Sequence, residues 1–273
     1  MENMKILKVS CLLLMIILLC GCVEEGQKKK TLSIAGSTTV QPIAFNAAEE
    51  FMKKNPDVIV SVQGGGSGTG IKMVAEGTAD IGMSSRELKE KEINAYPDLK
   101  TYTIAHDGIA VIVHPENPLS DLTKEEIKGI FSGKIKNFKE VGGEDREIVV
   151  VIREEGSGTR ATFEKLIMNN ADTTGNALQK PSNGAVKATI ASNENSIGYL
   201  GIGYVDDKVK SIAIDGIKPS KETISSGKYP VSRRLYMITN GEATGLSRKF
   251  IDFILSDEGQ RIVEEEGFIG TKK

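Results

Sequence analysis

Beyond residue 22 this 273-residue chain has no cysteine: all three, Cys11, Cys20 and Cys22, lie at its beginning. The body of the protein therefore holds no disulfide and no thiolate metal ligand. Histidine is almost as scarce. His106 and His114 form neither a His-x-x-x-His nor a His-Glu-x-x-His pair, which argues against a zinc hydrolase. Adjacent residues on a strand point apart, so His106 and Asp107 read as a surface histidine beside a loop aspartate. Positive charge is not in excess either. A formal net charge of -2, without clusters of aromatic and basic residues, argues against a nucleic-acid partner.

Long apolar runs are also scarce. The apolar run from Val9 through Cys20 is shorter than the roughly 20 residues a spanning helix needs, and it follows Lys5 and Lys8, as the core of a secretory signal does. It closes on Leu19-Cys20-Gly21-Cys22, which resembles a lipobox. That resemblance implies cleavage before Cys22, a lipid on its sulfur and an anchored protein on the extracytoplasmic face of the cell membrane. A plain signal peptide and an uncleaved anchor are the alternatives. Residues 1–22 are thus assigned to a leader and 23–30 to a polar tether.

From Thr31 onward, strand-like and helix-like segments alternate, predicting an α/β fold with mainly parallel sheets flanked by helices. Strands are expected at 32–36, 58–62, 79–86, 103–115, 148–152, 197–200 and 235–239. Helices are expected at 42–54, 71–76, 123–131, 160–168 and 183–192, with a single amphipathic helix over 247–266. Thr123 and Glu126 have the spacing of a capping box.

Three of the strand-to-helix junctions are rich in glycine and hydroxyl groups: Gly36-Ser37-Thr38-Thr39, Gly64 through Gly70, and Gly156-Ser157-Gly158-Thr159 just after Arg153. Glycine lets a backbone N–H approach a ligand, and a helix start offers unpaired N–H groups and a positive dipole end. Taken singly, each is a flexible turn; three together predict a caged oxyanion. Gly65 to Gly70 has P-loop spacing, but Ile71 stands where lysine is needed, and the Gly-x-Gly-x-x-Gly dinucleotide spacing is absent. Ser157 lacks the Gly-x-Ser-x-Gly elbow of a hydrolase, so no enzyme activity and no cofactor or metal are expected.

These segments, in order, together with Ala-Asp-Ile-Gly-Met-Ser-Ser-Arg-Glu at 79–87 and His-Asp-Gly-Ile-Ala-Val-Ile-Val at 106–113, resemble the phosphate-binding proteins of ABC phosphate importers, within the type II substrate-binding protein superfamily. The resemblance implies two α/β lobes, 31–113 plus 233–273 and 114–232, joined by hinge strands at 109–113 and 233–239. It further implies a monomeric receptor that hands inorganic phosphate to permease subunits. Ser37, Thr38, Thr39, Ser67, Arg153, Ser157, Gly158 and Thr159 would bind the phosphate oxygens. Ser85 falls where the best-described branch of the family has an aspartate, so a receptor for sulfate, molybdate or tungstate is the alternative, as is a surface phosphate sensor. Arg86 either adds charge beside Ser85 or forms a surface salt bridge with Glu87 or Glu90, and Glu154 or Glu155 is a candidate to orient Arg153.

Overall fold

Each glycine-rich junction ends a buried strand and opens a helix, so the strands set where the junctions meet. The computed structural model describes residues 29–271. The leader, the cleavage site, Cys22 and most of the tether lie outside the described residues. Strand β1 (Lys30–Gly36) leads into helix α1 (Gln41–Lys54), then β2 (Val58–Gln63), α2 (Ser67–Ala75), β3 (Ile81–Ser84), α3 (Glu90–Ala95) and the long strand β4 (Leu99–Val113). There follow β5 (Asp121–Leu122), α4 (Lys124–Phe131), β6 (Val149–Arg153), α5 (Gly158–Leu166), β7 (Leu178–Lys180), α6 (Asn183–Ala191) and β8 (Ser196–Gly201). The described chain closes with β9 (Lys210–Ser211), β10 (Ala213–Ile214), α7 (Lys221–Ser225), β11 (Ser232–Asn240), α8 (Gly245–Leu255) and α9 (Asp257–Glu265).

The principal sheet runs β2-β1-β3-β11-β4-β8-β6-β7, with β9 also on β4. Expectation and structure differ here, because this sheet is mixed. β1 pairs parallel with β3, and β6 parallel with β7 and β8, but β11 is antiparallel to β3 and β4, and β4 is antiparallel to β8 and β9. The antiparallel pairs all involve β4 or β11. Along β4, Leu99–Gly108 pair with β11, whereas Ile109–Val113 pair with β8.

The buried side chains follow the same change of partner. One cluster joins Leu32, Ile43, Phe51, Ile81 and Ile104 to Leu235, Phe250, Ile254 and Phe268. Another joins Ile109, Val111, Phe131, Phe163, Tyr199, Tyr229 and Val231. Both ends of the described residues thus feed the first cluster, where Phe250 meets Phe51 edge to face at 5.3 Å.

The predicted helix over 247–266 is broken. Ser256 is extended (ψ 168°), and its hydroxyl caps a new helix by accepting from the Gly259 N–H at 3.2 Å. Elsewhere the capping box holds: Thr123 Oγ1 accepts from the Glu126 N–H, and the Glu126 carboxylate accepts from the Thr123 N–H. Two helices begin earlier than their apolar periodicity indicates, α2 at Ser67 and α5 at Gly158, so the glycine-rich segments are themselves the first turns.

Candidate anion-binding site

Glycine brings the first two junctions together. A Cβ on Gly70 would lie 2.7 Å from the Gly36 Cα and 2.5 Å from the Ala35 carbonyl oxygen, so the first turns of α2 can meet the end of β1 only without side chains there. The third junction meets the second directly. The Gly68 N–H donates to the Gly156 carbonyl at 2.9 Å, and a Cβ on Gly158 would sit 2.3 Å from Ser67 Oγ and 2.6 Å from Ser85 Oγ. Thr39 Oγ1 and Thr159 Oγ1 lie 3.1 Å apart. Ser37, Thr38, Thr39, Ser67, Ser85, Ser157 and Thr159 are all buried, none more than 6% exposed.

Every one of these hydroxyl oxygens already accepts a hydrogen bond from nitrogen. Ser37 Oγ accepts from the Thr39 N–H, Ser67 Oγ from the Ser85 N–H and Ser157 Oγ from the Arg160 N–H. Asn183 Nδ2 donates to Thr38 Oγ1 at 3.2 Å and to Thr39 Oγ1 at 3.0 Å. Arg233 donates from Nη1 to Ser85 Oγ (3.3 Å) and Thr159 Oγ1 (3.0 Å), and from Nη2 to Thr39 Oγ1 (3.2 Å). A hydroxyl has one proton and two lone pairs, so these groups keep a lone pair besides the one filled by N–H, except Thr39, whose two lone pairs are taken by Asn183 and Arg233 and whose proton therefore goes to Thr159.

Arg153 lies at the end of β6 and is 1% exposed. Its Nε donates to the Lys180 carbonyl at 3.2 Å and its Nη2 to the Pro181 carbonyl at 3.0 Å. Among the described residues no carboxylate lies within salt-bridge distance of it: neither Glu154 nor Glu155 bonds to it, although the charge of half-buried Glu154 acts on it. Burial lowers its pKa to about 10, with the charge on Arg233 acting in the same sense. It stays a cation at neutral pH. The structure thus bonds the Arg153 side chain to carbonyls and does not bring it into hydrogen-bond contact with the hydroxyl cluster.

Three residues of this cluster were not assigned to it from the sequence. Asp107 is fully buried on β4, which corrects its reading as a loop residue beside a surface histidine. Its Oδ2 accepts from Arg233 Nε at 2.9 Å and lies 2.7 Å from Arg233 Nη2, and its Oδ1 accepts from the Ile202 N–H at 3.1 Å. Burial raises the Asp107 pKa and lowers that of Arg233, each opposed by the attraction of the other. Asn183 is the first residue of α6, making a fourth helix start at the site. The available signal was a charged residue inside otherwise apolar strands, at Asp107 between Ala105 and Ile109 and at Arg233 before Leu235. Such a charge persists in a core only when paired.

Arg86 takes neither predicted role. It forms a two-pronged bond with Glu92 on α3, both contacts 2.7 Å, because the turn after β3 carries it under the first turn of that helix. A crevice of 350 Å³ lined by Gly68, Arg86, Lys89, Ser157 and Arg160 opens beside this pair.

Comparison with known proteins places the chain in a family. The model of a PBP superfamily domain matches residues 23–258. The phosphate-binding protein PstS of Bacillus subtilis is 42% identical over 249 residues, covering 90% of this chain and 83% of the relative. PstS of Borreliella burgdorferi is 34% identical, covering 93% and 95%. Among solved structures, a phosphate ABC transporter substrate-binding protein from Clostridium perfringens with bound phosphate superposes with a TM-score of 0.85 at 44% identity, covering 89% of this chain and all of that one. An ABC-type phosphate transport receptor from Vibrio cholerae gives 0.73 at 37% identity, covering 87% and 99%. The chain belongs to the PBP superfamily and, within it, to the PstS phosphate-binding proteins.

Proposed function

We propose that this protein captures inorganic phosphate outside the cytoplasm and delivers it to the permease of an ABC importer. One observation carries the reading: seven buried hydroxyls from the three junctions and the turn after β3 are gathered into one cluster, each accepting from an N–H donor. Beside them Arg153 is a buried cation without a carboxylate partner, while Arg233 is balanced by Asp107. That arrangement leaves one uncompensated positive charge among donors, which an anion with several oxygens completes. Ser37, Thr38, Thr39, Ser67, Ser85, Arg153, Ser157, Gly158 and Thr159 are the proposed ligand shell. The bound phosphate in the Clostridium perfringens relative supports the choice of anion.

In this reading residues 31–113 with 233–273 form one lobe and 114–232 the other, and β4 and β11 are the hinge. The separate buried clusters and the change of partner at Gly108/Ile109 support that division. Closure brings Thr159 and Gly156 onto Thr39 and Gly68, and the permease then reads the closed form. The protein acts as a monomer held to the membrane by a lipid on Cys22; among the described residues no helix is long and apolar enough to cross it. Calorimetric titration with phosphate, sulfate, molybdate and tungstate tests the cargo. Tight one-to-one phosphate binding is expected. Preference for molybdate or tungstate would change the cargo, and absence of any oxyanion binding would overturn the reading.

A further inference from the structure

We propose that Asn183 is a positioning residue for the ligand: it starts a one-way chain of hydrogen bonds, Asn183 to Thr39 to Thr159, that leaves the Thr159 proton for the bound anion. The inference rests on the oxyanion reading above and deepens it by giving two of the site's hydroxyls a fixed order. The direction follows from valence. Asn183 Oδ1 accepts from the Gly201 N–H at 3.4 Å, so the other end of the amide is the NH₂, which donates to Thr38 Oγ1 and Thr39 Oγ1. An arginine nitrogen can only donate, so the contact from Arg233 Nη2 fills the second lone pair of Thr39. With both lone pairs taken, the Thr39 hydroxyl gives its proton to Thr159 Oγ1, 3.1 Å away.

Thr159 is filled in its turn, by that proton and by Arg233 Nη1 at 3.0 Å. Its own proton has no acceptor among the described residues, and the residue is 1% exposed, so water is not at hand to supply one. The chain also crosses twice between the two proposed lobes. Asn183 begins α6 and Thr159 stands in the first turn of α5, both within 114–232, whereas Thr39 lies between β1 and α1. Parting the lobes breaks both links, so the order holds only while they meet. An asparagine kept for the fold alone would cap its own helix. Here Ser182 does that, accepting from the Ala185 N–H at 3.0 Å, and the fully buried Asn183 amide is left to the threonines.

Asn183 and Thr159 share no bond with each other, so a double-mutant cycle on phosphate affinity tests the order. The purified full-length protein is titrated calorimetrically with inorganic phosphate. Asn183→Ala is expected to weaken binding at least about threefold more in the unaltered protein than in a Thr159→Val background, where the chain has lost its end. Thr159→Ser keeps the hydroxyl and should restore the full cost of Asn183→Ala. Against Ser67→Ala, a hydroxyl outside the chain, that cost should change by less than about threefold. A cost that does not depend on residue 159, or one that depends equally on residue 67, would overturn the proposal and leave Asn183 as scaffold. Should Asn183→Ala fail to show a cooperative ligand-free melt, Asn183→Ser applies the same criterion, since serine suits a helix start and sets its oxygen one bond back from the amide nitrogen. Failure of the unaltered protein to bind any oxyanion would instead sink the oxyanion reading itself.

Discussion

Arg153, the proposed cation of the site, does not touch the hydroxyl cluster. Its guanidinium is buried against the Lys180 and Pro181 carbonyls and keeps its charge without a carboxylate. Removing it by Arg153→Ala deletes the one uncompensated cation, so phosphate affinity in a calorimetric titration is expected to fall by about a hundredfold or more, the scale of losing a buried charge-assisted partner. Wild-type affinity would exclude Arg153 from the site. Gly158 tests shape instead of charge. A methyl there would stand 2.3 Å from Ser67 Oγ, although alanine suits the first turn of α5. Gly158→Ala is therefore expected to weaken phosphate binding about tenfold or more by holding α5 off Ser67 and Ser85, with a small change in ligand-free melting temperature. A large loss of stability with normal binding would contradict this.

The secondary-structure elements were largely legible in the sequence because their signals are local: apolar periodicity, a capping box at Thr123, glycine and serine at strand ends. The break at Ser256 was not. Phe250, Ile254, Ile262 and Val263 keep helical spacing across it, and only the hydroxyl cap shows that the chain restarts. The three hydroxyl-rich junctions were legible as well, yet Asp107, Asn183 and Arg233 were not joined to them. Nothing local links Asp107 to a residue 126 positions away on an antiparallel neighbour. Arg86 misled for a similar reason, since its partner Glu92 lies in the next helix. That contact sets a pH dependence. Burial alone would raise the Glu92 pKa, but bonds from Arg86 and the Lys89 N–H hold it below the ordinary glutamate value. Glu92 thus binds its proton less readily when folded, and its stabilisation is present above about pH 4.3, the unfolded value, and disappears as pH falls through the folded one. In urea unfolding, Glu92→Gln should be less stable than wild type at pH 7, and the gap should narrow as pH falls below about 4.3. A gap that persists in acid would point to packing rather than charge.

Across the whole molecule, ligand binding and stability are one equilibrium. A ligand at a hundredfold excess over its Kd stabilises the folded state by about 2.7 kcal/mol. For a domain of this size each kcal/mol moves Tm by roughly 2–4 °C, so saturating phosphate is expected to raise Tm by roughly 5–10 °C in a calorimetric scan. No shift under conditions where titration shows binding would mean that phosphate also binds the unfolded chain. The joining of both chain ends in one buried cluster has a temporal meaning as well. Phe51, Ile43 and Leu32 find Phe250, Ile254, Val263 and Phe268 only after nearly the whole polypeptide has been made. A chain emerging from the ribosome therefore lacks the wall of its first core until the last thirty or so residues appear. Until residues 243–268 are made, Leu32, Ile43 and Phe51 lack their partners, so the first cluster closes later than the second, whose buried members end at Val231.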